Sequence, residues 1–432
     1  MSFSDNITDL LRKSGIAVWR IEERSTESAE LFFVRKQLDT RRIKDTHKWK
    51  VTVFRDSEAE GRKLRGSTFV EVLASDSDET VTQKLRDAFS AAQYAMNPYY
   101  DLPDAVAEAP KVKKGALAEE NPSVSAGKMA ASIFAPDTRE DAFVNSAEVF
   151  VNRFAVRIIT SVGTDVSYTD AEVRGEYVVQ CKVPEDVEMF REFCYGECDT
   201  AALSAHVAES LRFAVDRARA QKVLKSGKYD VILTGEQTET LLSYYAERAH
   251  ASMVYAGYST WKQGDNVQNR EGGVPEGEKL NLSMCATVPY SDEGIPMRDI
   301  PLLRDGVLQR IYGANRFCRY LGVVPTGNYG KYRCDNTGTA SFAQMKSKPC
   351  LWAVSFSDFQ MDSFSGHFGG ELRLGYLIDG EKAIPVTGGS INGSLFEAQR
   401  GFVFSEERYE TASYAGPYAV RLPQVSVAGS ES

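Results

Sequence analysis

Histidine is scarce in this chain, and the catalytic motifs that depend on it are missing. The 432 residues include four histidines, and none of them lies in the HExxH pattern of a zinc peptidase helix. No GxSxG segment occurs either, so the nucleophile of an α/β-hydrolase is unsupported. Because a hydrolase needs an activated nucleophile or a metal, the sequence offers no complete catalytic set of its own.

Long apolar runs and an excess of positive charge are also missing. No run reaches the roughly 18 apolar residues of a membrane span, and the first fifteen residues are polar and amphipathic, unlike a secretion signal. The formal net charge of −9 argues against broad contact with nucleic-acid phosphates. Seven cysteines at irregular spacings are typical of reduced thiols. We expect a cytoplasmic protein with no membrane partner and no direct nucleic-acid partner.

The few metal-ligating side chains suggest only weak alternatives. Cys194 and Cys198 lie four residues apart with His206 nearby, but this spacing fits zinc motifs loosely, so unliganded thiols are favoured. Glu247 and His250 are three residues apart on a predicted helix and would share one face, where two metal ligands would lie close together. Charged helical residues are usually just exposed to solvent, so we favour that interpretation and assign no metal site.

The pattern of strands and helices predicts an α+β fold in two parts. Residues 1–225 mix helices with alternating, antiparallel strands and form the N-terminal α+β domain. Residues 226–432 are dominated by short strands and glycine-rich turns and form a largely antiparallel C-terminal β domain. Within the first part, Asp137–Arg153 and Asp186–Gly196 are predicted as helices, and Asp101–Asn121 as an exposed linker.

One strand followed by a helix opens the second part. Tyr229–Leu233 is predicted as a strand, and a single long helix follows it as far as Gly257. Thr234 with Gln237 three residues later has the pattern of a capping box at the start of that helix. A strand that leads through a capped turn into a helix is a common place for a functional site.

The most informative pattern near the C-terminus is the repeated glycine in the predicted strands and turns. The Asp379-Gly380 pair predicts a type I′ β-hairpin, and further glycines interrupt the strands around it. Repeated glycine in strands indicates bulges or close approach by another backbone, which is a neighbouring strand, a partner chain or an extended peptide. The candidate residues for peptide or partner contact are His367, Gly369, Gly370, Gly388, Gly389 and Asn392.

These segments together resemble the TldD/PmbA family, also called the modulator of DNA gyrase family. The resemblance lies in Tyr229–Asp265, Asp305–Asn328, Gly370–Leu395 and Tyr414–Gly429, and so covers the whole second half of the chain. It implies a cytoplasmic two-subunit peptidase. The TldD-type subunit carries zinc on an HExxxH helix with a cysteine near the C-terminus, and the PmbA/TldE-type subunit lacks that motif.

The motif positions of this chain match the second type. Aligned on the family pattern, Ser243 and Arg248 stand where the two histidines would be, and Tyr244 replaces the glutamate. The C-terminal segment Tyr414–Tyr418 contains no cysteine. A hydroxyl, a phenol and a guanidinium cannot replace that ligand set, and the positive charge of the guanidinium would repel a dication. The resemblance therefore implies no catalytic residue, metal or cofactor in this chain, and zinc only in a TldD-type partner.

Three functions remain open at this stage. We expect a non-catalytic PmbA/TldE-like subunit of a zinc metallopeptidase complex that acts on peptides or unfolded protein segments, as a heterodimer or, without its partner, as a homodimer. The alternative from another class is a stand-alone peptide-binding or regulatory protein of the gyrase-modulator type, which would act through protein contacts. The least favoured is a self-sufficient peptidase that uses Glu247, His250 or His367.

Overall fold

The computed structural model describes residues 2–106, 115–268 and 276–430. Strands make up 45% and helices 24%, so the predicted α+β class is confirmed. Within these residues no helix is both long and apolar enough to cross a membrane. The predicted linker Asp101–Asn121 lies partly outside the described residues, since 107–114 fall in its middle.

The first half is built on one antiparallel sheet. Its strands are β1 (Val18–Val34), β2 (Gln37–Ala59), β3 (Arg62–Leu73), β4 (Met96–Pro98), β5 (Ala142–Thr160), β6 (Asp165–Cys181) and β7 (Val187–Tyr195). They lie side by side in the order β4-β3-β2-β1-β5-β6-β7, and every neighbouring pair is antiparallel. β1, β2, β5 and β6 are much longer than an average strand, so this sheet extends well beyond the helices that cover it.

Among the described residues, four helices cover this sheet. They are α1 (Phe3–Lys13), α2 (Asp78–Ala91), α3 (Pro122–Phe134) and α4 (Thr200–Ala218). Ser77 caps α2, because its side chain accepts a hydrogen bond from the backbone N–H of Thr80. α1 and α2 share a core with Trp19 and Trp49, whereas α3 and α4 share a second core with β5 and β6. That second core also contains Trp352 and Tyr376 of the C-terminal half.

Two predicted helices of the first half are wrong. Most of Asp137–Arg153 belongs to β5, where Val144, Val149 and Val151 are buried on one face of the sheet. Asp186–Gly196 contains β7, whose buried residues include Val187 and Met189. In both segments the period-2 alternation outweighs the helical propensity of the polar residues, because β1 and β6 pair with their backbones and α3 and α4 bury one face.

Among the described residues, the second half contains two further sheets and five helices. Its elements are β8 (Gly227–Thr234), α5 (Glu236–Arg248), α6 (Ala251–Tyr255), β9 (Leu282–Cys285), β10 (Ile300–Arg304), β11 (Val307–Leu308), α7 (Asn315–Leu321), β12 (Lys331–Cys334), α8 (Phe342–Met345), β13 (Cys350–Met361), β14 (His367–Asp379), β15 (Lys382–Val386), β16 (Ser390–Ser394), α9 (Leu395–Ala398), β17 (Val403–Phe404), β18 (Arg408–Glu410), β19 (Tyr414–Pro417) and β20 (Ala419–Ala428). The first of these sheets pairs its strands in the order β11-β10-β9-β12-β19-β18, and only the β12–β19 pair is parallel among its described pairs.

The other C-terminal sheet closes on itself. Its order is β13-β8-β20-β16-β14-β15, and because β13 also pairs with β14, five of these strands form a ring. The predicted hairpin at Asp379-Gly380 joins β14 to β15. Gly380 has φ of +61°, but Glu381 is not among the described residues with positive φ, so the turn fits type II′ and the predicted type I′ is wrong.

α5 lies in the middle of the C-terminal half. Leu241, Leu242 and Tyr245 are fully buried, in one core with residues of both C-terminal sheets, such as Leu282 and Leu372. The predicted capping box at its start is wrong: Gly235, at φ of +57°, precedes the helix, and Thr234 instead accepts a hydrogen bond from the Trp352 indole at 3.2 Å. The predicted single helix is also interrupted, because α5 ends at Arg248 and a separate α6 begins at Ala251.

Candidate functional site

The face of α5 that carries the motif positions is held by two loops of the chain. Ser243 donates to its own helix, to the carbonyl of Thr240 at 2.9 Å, and also contacts Glu247 at 3.2 Å. The other carboxylate oxygen of Glu247 accepts a hydrogen bond from Ser363, in the loop between β13 and β14. The hydroxyl at the first motif position is therefore bound to a carboxylate that is itself engaged by a loop.

Tyr244 occupies the second motif position inside an aromatic cluster. Its side chain is buried, and its ring meets Tyr245, Trp261 and Phe396 edge to face at centroid distances of 5.4, 5.9 and 6.1 Å. The edge-to-face arrangement suits the quadrupoles of the aromatic rings and gives them close apolar contact. A carboxylate at this place would be desolvated among aromatic rings, which disfavours its charged form.

Arg248, at the third motif position, connects α5 to two loops. Its Nη1 donates to the carbonyl oxygen of Tyr258 and, at 3.5 Å, to that of Ser363. The guanidinium also lies 5.9 Å from the Tyr244 ring centre and 5.8 Å from that of Trp261. A planar cation that donates to carbonyls while resting on aromatic rings is a typical role of arginine. The position therefore holds a fixed positive charge.

The two loops bring an exposed aromatic pair to the same place. Tyr258 and Phe364 are 57% and 60% exposed, and their rings meet edge to face at 5.0 Å. Each belongs to a loop that Arg248 contacts, directly at Tyr258 and through neighbouring Ser363. The sequence does not reveal this pair, because Tyr258 and Phe364 lie more than one hundred positions apart and meet only in the fold.

His250 does not share a helix face with Glu247. It lies in the break between α5 and α6 and caps α6, since its Nδ1 accepts from the backbone of Ser252. Its Nε2 is 3.0 Å from Oδ1 of Asn328. The prediction that Glu247 and His250 share one helix face is therefore wrong, because the chain leaves α5 at Ala249.

The glycine-rich candidate residues lie on and beside β14. His367 begins β14, is exposed and hydrogen-bonds Ser365 at 3.1 Å through Nδ1. Hydrogen bonds from Ser365 and the Phe364 backbone, with His367 nearby, lower the pKa of Asp362 in this loop. Gly369 pairs with Asn392 of β16 and Gly370 with Ile391, so these residues form one patch with His367. Nothing in their geometry identifies an external peptide.

Each of the candidate glycines approaches another part of the chain closely. A Cβ at Gly369 would lie 2.6 Å from the carbonyl oxygen of Ile391, and one at Gly370 would lie 2.4 Å from that of Asp358. Gly388 and Gly389 form the turn between β15 and β16 at φ of +80° and +79°. Strand packing within the chain therefore already accounts for these glycines, and contact with a partner or peptide remains a prediction.

Cys194, Cys198 and His206 lie near the start of α4. Cys194 is on β7, Cys198 precedes the helix, and the His206 ring packs against Tyr177 at 5.8 Å. Burial raises the pKa of the Cys194 thiol to about 11 and lowers the pKa of His206 to about 4. In the described ranges, no group of three or more His, Cys, Asp or Glu side chains is arranged to hold a metal ion.

Glu239 links α5 to the segment where the family's cysteine would lie. Its carboxylate accepts hydrogen bonds from Ser413 and, at 3.2 Å, from Thr411, just before β19. Burial raises the pKa of Glu239, while these two hydroxyls act in the opposite direction. In the segment itself, Tyr414 is buried and donates to the carbonyl of Pro417 at 3.2 Å. Hydroxyls and phenols thus fill this region.

Comparison with known proteins identifies the family. Residues 226–429 match the family model described as the PmbA/TldA metallopeptidase C-terminal domain. The chain belongs to the PmbA/TldD family. No curated protein matches its sequence.

Solved structures of similar fold cover nearly the whole chain. TldE from Thermococcus kodakarensis has 14% identity and a TM-score of 0.77, and the match covers 98% of this chain and 100% of that one. A protein from Thermotoga maritima, described as a modulator of a DNA gyrase, has 15% identity, a TM-score of 0.75 and 99% coverage of both chains. A modulator of DNA gyrase from Bacteroides thetaiotaomicron has 15% identity, a TM-score of 0.76 and coverage of 98% and 97%. Because the sequence identities are only 14–15%, these matches show that the chain shares the fold of the three structures and nothing more.

Proposed function

We propose that this chain is the non-catalytic, PmbA/TldE-like subunit of a cytoplasmic zinc metallopeptidase complex that acts on peptides. The proposal rests on the residues at the three motif positions on α5 and on the contacts that they make. Ser243 is bound to its own helix and to Glu247, Tyr244 lies in an aromatic cluster, and Arg248 donates to two loop carbonyls. None of these groups is a usual zinc ligand.

The charge of Arg248 makes the same face unsuitable for a dication. A zinc ion at this face would lie beside the positively charged guanidinium of Arg248, and like charges repel each other. Glu247 is a carboxylate of this network, and Ser363 already engages it. In this proposal the metal and its activated water belong to a TldD-type partner, and Arg248 has a structural role.

The contribution of this chain would be a surface for the partner or for an extended peptide. β13 pairs with β8 only over Leu351–Ala353, so among the described strands the rest of β13 is paired on one side, by β14. Phe364 of the exposed Tyr258–Phe364 pair lies in the loop that follows β13, and the patch at His367 lies at the start of β14. An unpaired edge with adjacent aromatic side chains is a usual place for strand addition.

Purification of the tagged chain from its native host tests the proposal. We expect a near-stoichiometric second protein that carries HExxxH, identified by mass spectrometry of the eluate. Purification in the presence of a strong chelator is the matched control for contacts that depend on zinc. Recovery of the chain without any such relative would contradict the proposal.

That contrary result would favour the second function, a stand-alone peptide-binding or regulatory protein. Two of the structures of similar fold are described as modulators of DNA gyrase. With a formal net charge of −9, this chain would exert such an effect through protein contacts rather than through DNA.

A further inference from the structure

A cavity lies between α7 and the segment of the chain that follows β4. Its volume is about 700 Å³, which is within the range of small-molecule sites in proteins. Most of its lining is apolar and includes Ile295, Val323 and Pro325. Val324, also in the lining, is 81% exposed, so a ligand in the cavity would shield an apolar side chain from water. The cavity is therefore suited to the aliphatic part of a ligand.

Two opposite charges, on Arg319 and Asp104, also line this cavity. Both residues are exposed. Within the described ranges, the guanidinium makes a single hydrogen bond, from Nε to Oδ1 of Asn315 at 3.3 Å, and its two Nη groups have no partner. The Asp104 carboxylate has neither an ion-pair nor a hydrogen-bond partner there, so the two charges do not pair with each other. One cation and one anion are thus left free for a ligand.

Asn315 connects the two walls that carry these charges. Its side chain is fully buried, and its Oδ1 accepts the hydrogen bond from Arg319. Its Nδ2 donates at 2.7 Å to the carbonyl oxygen of Asp101, three residues before Asp104. The phenol of Tyr320, on the same helix, donates to a second carbonyl of that segment. The two charges are therefore held in place before a ligand binds, which reduces the cost of ordering them.

Glu293 does not neutralise the guanidinium of Arg319. Its Oε2 accepts a hydrogen bond from the backbone N–H of Asn315 at 2.7 Å, and its Oε1 lies 3.6 Å from Nη1 of Arg20. Among the described residues it makes no contact with Arg319. A ligand at Arg319 would therefore meet a guanidinium that no acidic side chain of the chain already occupies.

The charges and the apolar lining together define the class of ligand. A guanidinium with free Nη groups binds a carboxylate through charge-assisted hydrogen bonds, and a carboxylate such as Asp104 binds an ammonium group in the same way. A phosphate would be repelled by Asp104, and a wholly apolar molecule would leave both charges unpaired. A molecule with one carboxylate, one ammonium and an aliphatic body satisfies all of these groups.

We propose that this cavity binds a short peptide with free ends and aliphatic side chains, whose carboxylate pairs with Arg319 and whose ammonium pairs with Asp104. A peptide suits the site better than a single amino acid, because the two charges do not reach each other, whereas the charged groups of an amino acid share one carbon atom. The inference does not rest on the proposed peptidase role, because no residue of the cavity is a motif position or belongs to the patch at His367.

Calorimetric titration of the purified full chain with the tripeptide Leu-Gly-Leu tests the class of ligand. We expect saturable binding at one site, and binding at least about tenfold weaker for the tripeptide amide, which lacks the carboxylate. Free leucine is the arm for a single amino acid and should also bind more weakly. No saturable binding, equal binding of the amide, or leucine binding as tightly as the tripeptide would overturn the proposal.

Substitutions at the two charges test their roles. Arg319→Gln should weaken binding of the tripeptide at least about tenfold, whereas Arg316→Gln, on the same helix but outside the lining, should leave the affinity unchanged. Acetylation of the peptide's amino end should weaken binding to the native chain but make no difference to Asp104→Asn, which has lost the partner of the ammonium. Thermal unfolding of each variant checks that it folds. Arg319→Gln binding like the native chain, or an equal effect of acetylation on Asp104→Asn and the native chain, would contradict these roles.

Discussion

Arg248, the last residue of α5, donates a hydrogen bond to the carbonyl oxygen of Tyr258 in the loop after α6. The same guanidinium also donates to the carbonyl oxygen of Ser363, so hydrogen bonds from one cation connect the end of α5 to two loops. In the TldD-type subunit that the resemblance implies, this helical position would hold a zinc ligand. Here it stabilises the local fold.

Removing the guanidinium is expected to loosen these loops. Arg248→Ala should lower the free energy of unfolding by about 1.5–3 kcal/mol, the usual value of hydrogen bonds to a charged group, because two carbonyls lose their donor. Urea denaturation measures the change. Ser243→Ala, one turn away on the same helix, is the control and should cost less than about 1 kcal/mol. Equal effects of the two substitutions would contradict the role of Arg248.

The second motif position is expected to reject the family's glutamate. Tyr244→Glu buries a carboxylate among aromatic rings and should cost more than about 3 kcal/mol, whereas Tyr244→Phe keeps the rings in contact and should cost about 1 kcal/mol or less. Thermal and urea unfolding of both variants give the comparison. A Tyr244→Glu variant as stable as the phenylalanine variant would show that the pocket still accommodates the catalytic residue.

His206 should make the chain sensitive to mild acid. Burial is the main cause that lowers its pKa from 6.5 to about 4, so below pH 6.5 the unfolded chain binds a proton that the folded chain excludes. Stability from this group is therefore present above pH 6.5 and is lost as the pH falls toward 4. Because His206 is partly exposed, we expect about 1–2 kcal/mol rather than the full shift.

The measurement compares urea unfolding at pH 7 and pH 5 for the native chain and His206→Gln. The native chain should lose about 1–2 kcal/mol more than the variant between these pH values. His367→Gln, a substitution at an exposed histidine, is the control and should behave like the native chain. Identical pH profiles for His206→Gln and the native chain would show that His206 is protonated in the folded state as readily as in the unfolded one.

Gly389 should be required by the fold itself. A Cβ there would lie 2.3 Å from the carbonyl oxygen of Ala428, and its φ of +79° is strained for other residues. Gly389→Ala should therefore cost about 2–4 kcal/mol, whereas Gly380→Ala, with positive φ but open space, should cost about 1 kcal/mol. Unfolding free energies decide between them. Equal costs would imply that the turn moves freely away from β20.

Local patterns in the sequence predicted those elements whose partners are near or whose signals are strong. The strand predicted at Tyr229–Leu233 is β8, and the hairpin predicted at Asp379-Gly380 joins β14 to β15. β5 was missed because its pairing partners β1 and β6 and the helices α3 and α4 that bury one of its faces include segments distant in sequence. α3 was overlooked although Asn121 caps it and Pro122 begins it, a signal that was present in the sequence.

The sequence predicted some residues of the candidate site but not their contacts. The family pattern located Ser243, Tyr244 and Arg248, but spacing alone placed His250 on the helix with Glu247. The chain instead leaves the helix at Ala249, and the backbone of Ala251 donates to the carbonyl of Tyr312 at 2.7 Å. The contacts of Arg248 with Tyr258 and Ser363 depend on loops that no periodicity describes, so only the structure shows them.

Zinc content and peptide cleavage should be measured for this chain alone and for the complex recovered from its host. We expect substoichiometric zinc and no chelator-sensitive cleavage for the purified chain, and one zinc with chelator-sensitive cleavage for the complex with an HExxxH subunit. In that complex, zinc should remain when Arg248→Ala is introduced in this chain. Stoichiometric zinc and chelator-sensitive cleavage by this chain alone would show that it is a catalytic subunit itself.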